Sequence, residues 1–239
     1  MEYKGRNVEC ALLEDQTTDI QKAFCTLFDA ILNVKQSYLG FVEPEKKVLS
    51  SHLERVFAYE LYHQWSMFLK REKLFSKEKF ILNAEISKNT DYFGSMNDGI
   101  KFPDMVLHHS HSDNQNQGVV CEIKRKEGLN NKSFQDDIIK LGYFLQDETH
   151  YRFALGVFIL VGENIDKIYN KVAYFKKSII GFRNTKKTSD IQKRIVCIAY
   201  NGQVLEFTNL YHMIKNTKKK PDNLYCVRKE RRSIVIQLK

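Results

Sequence analysis

The nine residues FALGVFILV, at positions 153–161, constrain the fold more than any other segment of the chain. The run is about half the roughly 18 apolar residues that a membrane-spanning helix needs. As a strand it would be apolar on both faces, which is typical of the centre of a sheet that helices cover on both sides. The sequence therefore predicts an α/β fold with a mixed central sheet of four or more strands between helices.

The segments around this strand carry either helical or strand periodicity. Apolar residues at helical spacing predict helices over residues 18–39, about 48–70, from Ser133 onward and about 164–177. Strands are predicted over residues 80–86, 103–109, 119–124, 194–200 and 233–238. The polar loop at 110–118 suggests a hairpin between its flanking strands, and Asp136 is the expected capping-box partner of Ser133.

Length and charge favour a single basic domain with anionic partners. We expect one domain over residues 1–239, with an N-terminal helical segment (1–45), a core (about 48–161) and a basic C-terminal extension (162–239). Lys and Arg outnumber Asp and Glu by 38 to 29, and the surplus gathers in runs after Lys176. Such runs indicate either a nucleic-acid surface or a solvated face. Five scattered cysteines and an N-terminus without a signal-like apolar core favour a cytoplasmic protein.

The clearest chemical pattern is Pro103-Asp104 followed, after seventeen residues, by Glu122-Ile123-Lys124. Alternate residues of a strand share a face, so Glu122 and Lys124 point the same way. If the two predicted strands pair, Asp104 comes close to Glu122. Mg²⁺ prefers one or two carboxylates plus water and phosphate oxygens, and a lysine can stabilise charge on phosphorus. The arrangement suits phosphodiester hydrolysis, although a salt-bridged edge strand would give the same Glu-x-Lys spacing.

These residues resemble the signature of the PD-(D/E)xK nuclease superfamily, which includes restriction endonucleases and Holliday-junction resolvases. The family core is αβββαβ, and the elements predicted for residues 48–161 follow that order. The resemblance implies a restriction-endonuclease-like core with an extra N-terminal helix and a C-terminal extension. It also implies that Asp104 and Glu122 bind one or two Mg²⁺ (or Mn²⁺), with the Ile123 carbonyl as a further ligand, and that Lys124 positions or activates the water. Residues 53–65, LERVFAYELYHQW, resemble the opening helix of uncharacterised bacterial members.

The helix over residues 48–70 offers a further carboxylate. With Leu53 at 0° and 100° per residue, the apolar face spans about −60° to +80° and contains Val56, Phe57, Leu61, Met67 and Phe68. Glu60 and Gln64 fall in the middle of this face, and Glu54 falls at its edge. In the resembled family a first-helix glutamate often completes the metal site. We therefore expect Glu60 to assist, supported by Gln64, with Glu54 as a weaker candidate. The alternative is a structural pairing of Glu60 with Lys124 or Arg55.

Five further residues are weaker candidates. Glu85 lies on the less apolar face of the first strand and is either an additional ligand or an exposed glutamate. Asp137 and Lys140 flank the apolar stripe of the helix that begins at Ser133, so they either face the site or simply decorate the helix. Lys126 and Arg125 either contact phosphate or are ordinary surface charges. The histidines at 108, 109 and 111 are poor Mg²⁺ ligands and are not expected to bind metal.

Together these patterns predict a metal-dependent endonuclease that acts on DNA, with RNA not excluded and no membrane association. A role in restriction or defence follows from the habits of the resembled family. Cutting two strands needs two sites, which makes a homodimer a reasonable expectation. The alternative is a non-catalytic nucleic-acid-binding module on the same core, because fold does not fix function.

Overall fold

The computed structural model describes residues 2–3, 6–7, 16–39, 50–75, 79–84, 103–109, 117–146, 152–175, 185–216, 224–230 and 233–238. Its helices are α1 (Thr18–Asn33), α2 (Ser50–Arg71), α3 (Asn131–Phe144), α4 (Ile165–Phe175), α5 (Thr185–Arg194) and α6 (Leu210–Lys215), with a 3₁₀ turn at Gln36–Tyr38. Its strands are β1 (Glu2–Tyr3), β2 (Arg6–Asn7), β3 (Ile81–Ala84), β4 (Met105–His108), β5 (Gln117–Arg125), β6 (Phe153–Val161), β7 (Ile195–Tyr200), β8 (Val204–Asn209), β9 (Tyr225–Glu230) and β10 (Ser233–Leu238).

Strands β3 to β10 form one mixed sheet in the order β10-β9-β8-β7-β6-β5-β4-β3, while β1 and β2 pair separately. The pairs β5–β6 and β6–β7 are parallel, and the other pairs of the large sheet are antiparallel. The predicted α/β architecture with a mixed sheet flanked by helices is confirmed. The sheet is larger than a four-stranded core because the C-terminal extension adds β7, β8, β9 and β10 to the same sheet.

The β6 strand lies at the centre because both of its faces are apolar. Val157 and Ile159 pack in the layer that contains α1 and α2. Phe158 and Leu160 pack in the opposite layer, with α3, α4, α5 and α6. Parallel strands need crossover connections, and α3 provides the one between β5 and β6. The apolar run at 153–161 is therefore the buried central strand that the sequence predicts.

The β4 and β5 strands form the predicted hairpin, with Met105 opposite Cys121 and Leu107 opposite Val119. Helix α3, however, begins two residues before the predicted start. Its capping box joins Asn130 and Ser133, each side chain accepting from the other residue's backbone N–H. The expectation that Asp136 partners Ser133 is therefore wrong: Asn130, directly before the helix, is the N-cap, and Ser133 is its capping-box partner in the first turn.

The buried face of α2 also differs from the predicted one. Phe57, Leu61, Trp65 and Leu69, spaced four residues apart, are fully buried against α1 and the sheet. The Trp65 indole N–H donates to the Ala23 carbonyl at 3.3 Å and to Thr26 Oγ1 at 3.0 Å. By contrast, Val56 and Met67, which the sequence placed on the core face, are 40% and 47% exposed. The helix is thus rotated about its axis relative to the prediction.

The described cysteines lie in the interior of the protein. Cys25, Cys121, Cys197 and Cys226 are buried, and none of these four forms a disulfide bond. Burial raises the pKa of the Cys121 thiol well above its ordinary value, and Glu122 and Asp104 add to this effect. Burial also raises the pKa of Cys197 to about 12. The Cys121 and Cys197 thiols are therefore protonated at neutral pH. Among the described helices, none is long and apolar enough to cross a membrane.

Candidate active site

Asp104 stands at the start of β4, and the hairpin backbone fixes it beside Glu122. Its N–H donates to the Cys121 carbonyl at 3.1 Å, which extends the β4–β5 ladder by one residue. Its Oδ2 accepts the Ile123 N–H at 2.7 Å. Burial raises the pKa of Asp104 above its ordinary value, while the Ile123 N–H and Lys124 lower it. The spacing between Pro-Asp and Glu-x-Lys therefore places the two carboxylates together, as the strand register predicts.

The two oxygen atoms of the buried Glu122 carboxylate have different contacts. Its side chain is 1% exposed, and its Oε2 lies 2.6 Å from the Lys140 ammonium. Its Oε1 is buried and accepts no hydrogen bond. Burial raises the pKa of Glu122 well above its ordinary value, Asp104 raises it further, and Lys140 offsets part of the effect. Buried polar atoms almost always have a hydrogen-bonding or ionic partner. Because Oε1 accepts no hydrogen bond from the protein, it can contact an additional cation.

Lys124 reaches from β5 to both neighbouring helices. Its Nζ lies 3.3 Å from Glu54 Oε1 on α2 and 3.5 Å from Asp137 Oδ2 on α3. Glu54 Oε2 also accepts the Arg125 N–H at 3.3 Å, which ties α2 to the end of β5. Burial lowers the pKa of Lys124, but the surrounding carboxylates, Asp137 and Glu54 foremost, outweigh it and raise that pKa above the ordinary value. Lys124 is therefore a protonated ammonium at neutral pH.

Helix α3 contributes an acid and a second lysine. Asp137 Oδ1 lies 3.7 Å from Lys140 Nζ, so Asp137 sits between the two ammonium groups. Burial raises the pKa of Asp137, and Lys124 and Lys140 reduce this shift without cancelling it. We name the whole group the acid–lysine cluster. Its six members are Glu54, Asp104, Glu122, Lys124, Asp137 and Lys140.

Glu60 and Gln64 lie away from the cluster. Glu60 is six residues beyond Glu54, about 9 Å further along the helix axis. Its Oε1 accepts from Gln64 Nε2 at 2.7 Å, and both side chains are half-buried. The prediction that Glu60 occupies the middle of the buried face of α2 is wrong, since that face is centred on Leu61 and Trp65. The structure instead brings Glu54, the weaker sequence candidate, to Lys124.

None of the remaining candidates that the structure describes is a member of the acid–lysine cluster. Glu85 lies outside the described residues. Lys126 is exposed, next to the cluster. Arg125 is buried, and its Nη2 donates to the Leu39 carbonyl at 2.7 Å, so it is not a surface charge. Ile123 is buried and its N–H holds Asp104; a ligand role for its carbonyl stays a prediction.

The histidines near β4 are accounted for by ordinary contacts. His108 is buried, its Nε2 lies 2.9 Å from Asn83 Nδ2, and its Nδ1 lies 2.7 Å from the His109 carbonyl. The His109 ring packs against Phe80, with the ring centroids 4.4 Å apart. His111 lies outside the described residues. His108 and His109 thus serve the hairpin and its neighbour β3.

The donor set of the cluster fits a magnesium-type ion held by two carboxylates. In the part of the chain that is described, no group of three or more His, Cys, Asp or Glu residues is arranged to hold a metal. Mg²⁺, however, usually takes only one or two protein carboxylates and completes its shell with water and phosphate. Asp104 and Glu122 supply two, and the unsatisfied Glu122 Oε1 is the atom that a cation would compensate.

No family model, curated protein or solved structure matches this chain. The resemblance to PD-(D/E)xK nucleases therefore depends on four residues, Pro103, Asp104, Glu122 and Lys124, and on the order of the elements around them. From α2 to β6 that order is helix, three strands, helix, strand.

Proposed function

We propose that this protein is a divalent-cation-dependent nuclease that hydrolyses DNA phosphodiester bonds on a restriction-endonuclease-like core. The observation that carries the proposal is the convergence of Asp104, Glu122 and Lys124 at one end of the β4–β5 hairpin. The succession α2-β3-β4-β5-α3-β6 supports the same core. The buried Glu122 Oε1, which accepts no hydrogen bond from the protein, also favours a cation at this site over a purely structural salt bridge.

Asp104 and Glu122 would hold the cation, Mg²⁺ or Mn²⁺, with the Ile123 carbonyl as the further ligand that the family resemblance suggests. When bound, such an ion supplies Lewis-acid charge and lowers the pKa of water. The Ile123 N–H fixes Asp104 through Oδ2, so the Asp104 side chain is preorganised for its role. Glu122 is held in the same way through Oε2 by Lys140. Both carboxylates are thus oriented before substrate arrives.

Lys124 acts in this proposal as a charged hydrogen-bond donor rather than as a base. Its ammonium is protonated because Asp137, Glu54, Asp104 and Glu122 surround it. A protonated lysine can orient the attacking water or stabilise negative charge on the phosphoryl oxygens. Glu54 and Asp137 hold Nζ from opposite helices, which keeps the donor in position.

The net charge of +9 favours a nucleic-acid substrate. Most of the Lys and Arg residues in the C-terminal runs, at 176–177, 218–220 and 231–232, lie outside the described residues. We expect these runs to contact phosphates, so binding should weaken steeply as salt rises. A restriction or defence role and a homodimer remain proposals of the same kind.

The test is cleavage of supercoiled plasmid and of matched single-stranded DNA and RNA, in Mg²⁺, in Mn²⁺ and in chelator. We expect nicking or linearisation of DNA that depends on the metal. Lys124→Met should abolish it, whereas Lys132→Met, which removes an exposed lysine of α3, should preserve it. Equal cleavage by wild type and Lys124→Met would refute the proposal.

The non-catalytic binding module predicts a different pattern in the same experiment. Such a module would bind DNA equally well in chelator and in Mg²⁺ and would cleave under neither condition. Cleavage of RNA alone would retain the chemistry and change the substrate.

A further inference from the structure

Lys140 is a second lysine at the site, and the PD-(D/E)xK pattern does not account for it. Its Nζ lies 2.6 Å from Glu122 Oε2 and 3.7 Å from Asp137 Oδ1, and its side chain is 11% exposed. Glu122 Oε1, on the same carboxylate, is buried and without a hydrogen bond. The two oxygens of Glu122 are therefore inequivalent: one is neutralised from α3, and the other is not.

Helix α3 holds Lys140 in this position firmly. Phe134, Ile138 and Leu141 are fully buried against the sheet on either side of the Asp137 turn. The capping box at Asn130 and Ser133 fixes the start of the helix. The Lys140 ammonium group is thus held beside Glu122 by a helix that packs firmly on the sheet.

The charges of the cluster match one divalent cation. When fully ionised, its four carboxylates and two ammonium groups leave two uncompensated negative charges. One divalent ion would balance them. A second would leave the buried cluster with two excess positive charges, which a poorly solvated site tolerates badly.

The position of Lys140 opposes a second ion as well. Paired ions in two-metal sites lie about 3.5–4 Å apart and share carboxylate oxygens. A second ion bound by Glu122 would need its remaining oxygen, Oε2, which already accepts from Lys140 at 2.6 Å. An ammonium at that distance repels an incoming cation strongly where water is excluded.

We propose that Lys140 is a built-in counterion that positions Glu122 and restricts the acid–lysine cluster to a single divalent cation; this inference rests on the proposed function of the site. Lys140 takes the place of a second ion by neutralising Oε2, and it leaves Oε1 for the first. Lys140 is a positioning residue that acts through Glu122.

The test counts Mn²⁺ bound to the full chain after the metal is stripped with chelator. Titration calorimetry and the electron paramagnetic resonance signal of free Mn²⁺ give the stoichiometry independently. We expect one Mn²⁺ per chain in wild type and in Lys140→Arg, which keeps the charge. Lys140→Met should bind two. Lys132→Met removes an exposed lysine from the same helix and should stay at one.

Two bound ions in wild type overturn the inference, as does a Lys140→Met protein that folds yet binds one ion with wild-type affinity. Circular dichroism checks folding, and Lys140→Gln replaces the methionine variant if that one does not fold. Plasmid cleavage measured on the same samples separates the two proposals. One bound Mn²⁺ without cleavage of any nucleic acid leaves the inference standing and refutes the nuclease, whereas cleavage with two bound ions does the reverse. Absence of Mn²⁺ binding refutes both.

Discussion

Strands β5 and β6 are parallel neighbours of nine residues each, yet they use the same face of the sheet in opposite ways. Glu122 pairs in register with Phe158, and Lys124 pairs with Leu160. On this face β6 packs apolar side chains against α3 and its neighbours. The β5 strand instead presents a carboxylate and an ammonium to charged partners from α2 and α3.

This contrast between apolar side chains in β6 and charged side chains in β5 distinguishes residues whose burial stabilises the fold from residues whose burial costs free energy. Phe158 packs edge-to-face on Phe134, with the ring centroids 5.2 Å apart, and gains free energy from burial. Glu122 is equally buried, but burial raises its pKa well above the ordinary value, which means that its charged form is unfavourable there. A buried charge without full compensation is retained for chemistry more readily than for stability.

The largest effect should come from Glu122→Gln. The change keeps the shape of the side chain and an oxygen acceptor for Lys140 but removes the charge that would bind a cation. We expect metal-dependent cleavage to fall by roughly a thousandfold or more, as when groups that act together in the transition state are lost. The measurement is the initial rate of plasmid nicking in Mg²⁺. Glu127→Gln, a change at a carboxylate outside the cluster, should retain the wild-type rate.

Phe158→Ala should lower the stability of the fold, in contrast to Glu122→Gln, which should lower the cleavage rate. Loss of a fully buried phenylalanine typically costs about 3–5 kcal/mol, so the free energy of unfolding in urea should fall by that amount. In chelator, Glu122→Gln should stay within about 1 kcal/mol of wild type, or exceed it, because the ionised cluster then has one uncompensated negative charge instead of two, while Lys140 keeps Asp137 and the amide oxygen as partners. A Glu122→Gln protein destabilised as much as Phe158→Ala would show that Glu122 is mainly a structural residue.

Sequence patterns predicted the centre of the fold well and its periphery less well. The apolar run of β6 and the alternation in β5 are strong signals, and the hairpin register then brings Asp104 to Glu122 without further information. Strands β8 and β9 were missed. Their sequences, VLEFTN and YCVRKE, mix polar and apolar residues without a clear strand pattern. These strands are stabilised by pairing, β8 with β7 and β9 with β10, and such pairing cannot be read from local sequence.

The two helices at the cluster show why one site residue was predicted and another misjudged. In α3 the apolar stripe is narrow, so Asp137 and Lys140 could be placed at its flank from sequence alone. In α2 apolar and aromatic residues occur all around the helix, and several arcs fit equally well. The arc that includes Trp65 and Leu69 runs from about 40° to about 160°. Its centre coincides with Glu54, whereas Glu60 lies well outside it.

This rotation of α2 predicts unequal effects for its two glutamates. Glu54 holds both Lys124 Nζ and the Arg125 N–H, so Glu54→Gln should lower the cleavage rate by about 10- to 100-fold, the range typical of residues that orient a functional group. Glu60→Gln, which alters a side chain whose described contact is with Gln64 and not with the cluster, should change the rate less than twofold. The comparison is made by nicking rates at saturating Mg²⁺. The reverse order would restore Glu60 as the functional glutamate.

The smallest effect should be on the pH dependence of stability. Glu122 of β5 contributes to this dependence, whereas the apolar side chains of β6 do not. In the folded protein the pKa values of Asp104, Glu122 and Asp137 are raised above the ordinary 3.8, 4.5 and 3.8, with burial as the main cause. The folded state therefore holds these protons more tightly than the unfolded state. Their stabilising contribution is complete below the ordinary values and is lost as pH rises through the raised ones.

In chelator, the melting temperature should consequently fall as pH rises above the ordinary pKa values of these carboxyl groups, by about 2–4 °C for each kcal/mol lost. Glu122→Gln removes the most strongly perturbed group and should flatten the slope, whereas Phe158→Ala should lower the whole curve and keep it. Mg²⁺ should raise the melting temperature most at the alkaline end, because a cation binds the ionised carboxylates. Parallel curves for wild type and Glu122→Gln would mean that the pH dependence of stability does not come from Glu122. It would then come from the other two perturbed carboxyl groups of the acid–lysine cluster, Asp104 and Asp137.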